Sequence, residues 1–120
     1  MDTSLNTHDK GDICEEIAVE YLLSKGYSII SRKYRSRKGE IDCIVKDNDG
    51  TMVFVEVKSA GVGSFGNPIF WITPAKQRTI ARMALQYLYE HQIASARCRF
   101  DVITIYKGNI NHLKNAFIVK

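Results

Sequence analysis

Apolar residues recur along this chain with two different periods. Between Asp9 and Lys25, the residues Cys14, Ile17, Ala18, Tyr21 and Leu22 are spaced three and four apart, the signature of one helix face. Glu16 and Glu20 fall opposite, and Lys25–Gly26 reads as the helix end. Glu15 lies at the border of the apolar stripe, where a carboxylate looks into a cleft beside the core. From about Tyr27 to Arg35 the pattern becomes that of a strand. In "EIDCIVK" the period is two, with Ile41, Cys43 and Val45 set against Glu40, Asp42 and Ile44. "DNDG" is a hairpin signal because glycine accepts a positive φ. "TMVFVEVK" follows, with Val53, Val55 and Val57 on one face and Met52, Phe54, Glu56 and Lys58 on the other.

The glycine-rich "SAGVGSFGNP" predicts a mobile loop, and residues 1–8 a loose start. A second helix opens at Thr73, which can cap it, with Pro74 at the first helical position. Its apolar face is Ile80, Met83, Ala84, Tyr87 and Leu88. "CRFDVITIY" and "INHLKNAFIVK" bracket "KGN" as a closing pair of strands. The order helix, three strands, helix, two strands predicts one α/β domain over 1–120, a central mixed five-stranded sheet flanked by helices.

Charge and cysteine content narrow the class. Seventeen Lys and Arg stand against 13 Asp and Glu, a formal net charge of +4, which permits a polyanionic partner. Cys14, Cys43 and Cys98 are far apart and lie among apolar residues, which argues against disulfides or a zinc cluster and predicts buried thiols in a reducing compartment. A polar N-terminus and the lack of any long apolar run predict a cytoplasmic protein with no membrane association. The chain has no glycine-rich phosphate loop and no nucleophile elbow. His8, His91 and His112 have no metal-ligand spacing; Trp71 reads as a packing residue and Asp101 as a structural one.

The charges inside the hairpin are the informative feature. Asp42 and Glu56 lie on strands joined by a short turn, so one face brings them roughly 5 Å apart. Two carboxylates that close repel each other, and a hard divalent cation, Mg2+ or Mn2+, removes the conflict. Lys58 shares the face and can orient an attacking water or stabilise charge building on a phosphate. The preceding "SRKYRSRKGE" has five basic residues in ten, with Tyr34 between Arg32 and Arg35 and followed by Arg37 and Lys38. Lys76, Arg78 and Arg82 add positive charge at a helix start, where the dipole already favours anions. The constellation predicts metal-dependent hydrolysis of nucleic-acid phosphodiesters. Two readings compete: a non-catalytic nucleic-acid-binding protein, and a structural protein whose strand carboxylates pair with lysines.

"GEIDCIV", "VFVEVKS", "FG" and the lysine opening the second helix, together with "CEEIAVEYLLSKGY", "RKYR", "RFDVI" and "NAF", resemble an uncharacterised bacterial family of predicted endonucleases, UPF0102, across Gly11 to Phe117. That family is distantly similar to archaeal Holliday junction resolvases, and its acid followed by Glu-x-Lys is similar to the pattern of restriction-endonuclease-like nucleases. The resemblance implies a restriction-endonuclease-like fold, DNA as substrate with branched DNA a candidate, and a homodimer. It implies Asp42 and Glu56 as metal-binding carboxylates, Lys58 as the catalytic lysine and Glu15 as the helix acid completing the metal site. Glu40 is implied as support, and Arg35 and Lys76 as substrate contacts. The chain departs from the family pattern at Cys14, where glycine is usual, at Lys33, where asparagine is common, and at Ala60, where a basic residue is frequent.

Overall fold

The computed structural model describes residues 7–59 and 72–118, with side chains from residue 11. The glycine-rich stretch after Ser59, Trp71 and all but the end of the first eight residues lie outside the described part. Seven elements follow in order: α1 (Thr7–Ser24), β1 (Ser28–Ser36), β2 (Gly39–Lys46), β3 (Met52–Ser59), α2 (Pro74–Glu90), β4 (Cys98–Tyr106) and β5 (Asn109–Leu113). The sheet runs β1-β2-β3-β4-β5 in spatial order. Its pairs are antiparallel except β3–β4, which is parallel and therefore needs the long connection that contains α2.

Each helix covers one side of the sheet. Val53 and Val55 of β3 pack with Cys43 and Val45 of β2 against Ala18 and Leu22 of α1. Met52 and Phe54 pack with Ile44 against Ile80, Met83, Ala84 and Tyr87 of α2. The period-two alternation of β3 thus becomes two cores. Phe54 is 1% exposed, a site where truncation to alanine typically costs about 3–5 kcal/mol.

Local chemistry sets the helix ends. Thr73 Oγ1 accepts the Lys76 N–H at 3.1 Å, and Pro74 begins α2. At the end of α1 the Tyr27 N–H reaches back to the Leu22 carbonyl at 3.0 Å, with Gly26 at φ +91°. A Cβ on Gly26 would also stand 2.9 Å from Asn48 Oδ1 in the β2–β3 turn. The positive φ is what favours glycine here, since the exposed Asn48 amide can turn aside.

Three sequence expectations change. The alternation of β2 breaks: Ile41 packs with Ile44 on the α2 side, while Cys43 and Val45 face α1. The irregularity is shared with β1, where Lys33 adopts φ +53° between the pairs Arg32–Cys43 and Tyr34–Ile41. The last strand ends at Leu113 and does not run on through "NAFIVK". Instead Asn115 N–H binds the buried Asp101 carboxylate at 2.9 Å, Ala116 N–H binds the Phe100 carbonyl at 2.7 Å, and Phe117 stacks on Phe100. Finally, only Cys43 is a buried thiol; Cys14 is half-buried and Cys98, at the first position of β4, is exposed. No helix among the described residues is long and apolar enough to cross a membrane.

Candidate metal centre

The paired register of β2 with β3 ends at Cys43 and Val55. Beyond it, Asp42 Oδ2 accepts the Val57 N–H at 2.7 Å. A side-chain carboxylate has replaced the partner strand's carbonyl, so the ladder opens where Asp42 stands. Glu40, two residues earlier, pairs across β1 with Arg35, whose Nε lies 3.5 Å from its Oε2. Glu15 reaches the same point from α1. Glu15, Glu40 and Asp42 each offer an oxygen, and these oxygens lie within 4.8 Å of one another. Glu56 on β3 is 7% exposed and adjoins Asp42. Lys58, one pleat further along β3, is half-exposed with its Nζ 4.0 Å from Glu56 Oε1.

The electrostatics are those of crowded, desolvated acids. Burial, then the charge of Glu56, pushes Asp42 up to about 7, although the Val57 N–H pulls the other way. Burial and Asp42 raise Glu15 to about 7, against the nearby Lys33 ammonium. Burial raises Glu56 too, opposed by Lys76 and Lys58. Three buried side-chain oxygens among the described residues accept no hydrogen bond: Glu15 Oε2, Glu40 Oε1 and Glu56 Oε2. Buried polar atoms are rarely left so. All three belong to one cluster, where a cation would satisfy them together. The donor set is all oxygen, which suits a hard divalent ion completed by water. Among the described residues, no thiol or imidazole joins it.

The remaining sequence-singled residues divide. The Lys76 charge lowers the Glu56 carboxyl. Arg37, Lys38 and Arg78 are exposed. Gly39 lies against Thr79 and Met83 of α2, which brings the β1–β2 turn that carries Arg37 and Lys38 near that helix. Arg32 is held by Glu16 at 3.0 Å. Tyr34 sits edge-on to Tyr87 and hydrogen-bonds Glu90, so its ring is engaged with α2. Lys33, which the sequence did not single out as a site residue, points at the cluster, with Nζ 3.6 Å from Glu15 Oε2. Nothing in the pattern signals it, because its orientation depends on a left-handed backbone. Asp101 stands apart in a structural network: fully buried, it binds Arg99 at 3.0 Å and His112 at 2.7 Å.

The profile described as "Uncharacterised protein family UPF0102" matches residues 14–105. The chain belongs to this family. A UPF0102 protein of Persephonella marina is 48% identical over 108 residues, covering 90% of this chain and 92% of its own. One from Alkaliphilus oremlandii is 47% identical over 113 residues, covering 89% and 96%. One from Clostridioides difficile is 42% identical over 115 residues, covering 94% and 100%. The UPF0102 match contains all four carboxylates of the cluster and Lys58. Among solved structures, Pyrococcus furiosus SfsA in complex with Ca2+ is similar over 95% of this chain and 66% of that one, at 18% identity and a TM-score of 0.35. A likeness that distant carries no argument about chemistry.

Proposed function

We propose that this protein is a divalent-metal-dependent endonuclease acting on DNA, with a restriction-endonuclease-like fold. The observation that carries the reading is the gathering around Asp42 of three buried carboxylate oxygens that accept no hydrogen bond, with a lysine one pleat away. Asp42, Glu56 and Glu15 would hold Mg2+ or Mn2+, with Glu40 close enough to join them. A bound ion supplies Lewis-acid polarisation of the phosphoryl oxygen and a more acidic water.

The chain's own residues do the rest. Lys58 faces outward enough to meet a phosphate and is anchored near Glu56, so its ammonium orients the attacking water and stabilises charge on the phosphorus oxygens. The water oxygen bonds to phosphorus as the phosphodiester P–O bond breaks. Arg37, Lys38 and Arg78 supply an exposed cationic path for the backbone, with Lys76 and Arg35 nearer the cluster. A chain of 120 residues offers little surface to a branched substrate, so the reading extends to a cytoplasmic symmetric homodimer on junction DNA.

The test is direct. Purified protein is incubated with labelled junction, flap and duplex DNA in Mg2+ or Mn2+. Cleavage is expected, and Asp42→Ala and Glu56→Ala should abolish it. Activity intact in both variants overturns the site. Salt-sensitive binding without cleavage, unaffected by either substitution, favours a non-catalytic DNA-binding protein. A monomeric mass with and without DNA refutes the dimer.

A further inference from the structure

Lys33 sits in the middle of β1 with φ +53°, a left-handed conformation uncommon for a residue with a long side chain. In a regular strand, successive side chains alternate between faces. Here two consecutive cations turn towards α1: Arg32 reaches Glu16, and Lys33 reaches Asp12 and Glu15. The unusual backbone is what brings the second one inward. Its ammonium contacts Asp12 at 2.7 Å and lies 3.6 Å from Glu15. Those acids are three residues apart on α1, neighbours on one face. Lys33 therefore has two stations. It is anchored at Asp12, at the outer edge, and leans on Glu15, which belongs to the acid cluster.

We propose that Lys33 is the built-in counter-ion of the acid cluster: its ammonium neutralises Glu15 in the metal-free protein and lowers the site's affinity for a divalent cation. This rests on the metal-site reading above. Asp12 gives the ammonium a place to stay when the Glu15 carboxylate turns to the ion, so both states of the site keep Lys33 paired. The positioning role differs from that of Lys58, which stands on the opposite side of the cluster, on β3, beside Glu56.

Mn2+ titration of the full chain by calorimetry, with electron paramagnetic resonance of the bound ion, tests it. Lys33→Met keeps the length of the side chain and removes its charge. Its Mn2+ affinity should rise about five- to tenfold over wild type in low salt, and the gain should shrink as salt screens the charge. Lys33→Arg keeps the charge and should stay within about twofold of wild type. Should Lys33→Met fail to fold, Lys33→Asn removes the charge with a residue that accepts a left-handed backbone. An affinity equal to or weaker than wild type in the charge-removing variant overturns the inference while leaving the metal site standing. No Mn2+ binding by any of these proteins overturns the metal reading and the inference together.

Discussion

Replacing Asp42 by asparagine should stabilise the metal-free protein, although it removes a residue central to the proposed chemistry. The carboxyl rises from 3.8 to about 7 on folding because it is buried beside Glu56. At 1.36 kcal/mol per pH unit this corresponds to about 4 kcal/mol of charging penalty when the group is fully ionised. Between about pH 4 and about pH 7 the folded state holds a proton that the unfolded state has released, so wild-type stability falls as pH rises through that window. Asparagine is neutral throughout and keeps an oxygen to accept the Val57 N–H. Some of the penalty is relieved when Glu15 and Glu56 readjust, so a gain of about 2–4 kcal/mol at pH 8 is expected, or roughly 10 °C in melting temperature. The gain should vanish near pH 4. Calorimetric melts of both proteins at pH 4, 6 and 8 provide the measurement, repeated with Mn2+. Saturating ion should stabilise the wild type, by about 2.7 kcal/mol at a hundred times its dissociation constant, and not the variant. A variant that melts at or below wild type at pH 8, or a gain that does not depend on pH, refutes the reasoning.

Other outcomes follow from the same contacts. Lys58→Met should reduce DNA cleavage by at least about a hundredfold while leaving Mn2+ binding in place, because in the proposed chemistry the lysine beside Glu56 acts on charge that develops during reaction; calorimetry beside a cleavage assay separates the two. Asp101 is pushed up by burial, but His112, Arg99 and the Asn115 N–H outweigh that and hold it below the usual range. Its stabilisation is present above the unfolded carboxyl value and lost as pH falls below it, and Asp101→Ala should cost about 2–4 kcal/mol in urea titrations at pH 7 by taking the buried acceptor from His112 and the Asn115 N–H, while Arg99 keeps Asp47. Thiol labelling of the native protein read by mass spectrometry should modify Cys98 first and Cys43 last, since Cys43 is buried and its thiol is pushed up to about 12. Gly26→Ala should destabilise by about 1–2 kcal/mol, because it combines a left-handed backbone with a contact to Asn48.

What the sequence revealed was local. The two helix faces, the Thr73–Pro74 start and the turn ending in Gly50 each depend on a few neighbouring residues, and each is found where those residues predict it. The β3 alternation also carried the two-sided core. What escaped was set by contacts between distant parts. The break in β2 answers the left-handed Lys33 on the neighbouring strand. The residues after Leu113 leave the sheet because Asp101 and Phe100 capture their backbone. The hairpin suggested that Asp42 and Glu56 meet, and the border position of Glu15 suggested a cleft. Neither hinted that Glu40 comes within reach of Asp42 and Glu15, nor that Lys33 faces them.

The parallel pairing of β3 with β4 divides labour along the chain. Every acid of the cluster, and Lys58, comes from α1, β2 and β3, whereas β4 joins β3 only after α2 has been made. Translation therefore delivers the charges before their cover. Without α2, one side of a sheet made of β1–β3 alone would leave Ile44 and Phe54 bare, and water around open acids would keep their repulsion weak. On the proposed metal reading, a divalent ion that met the chain at this stage would bind a surface still being assembled, and would act on folding as well as on the finished protein.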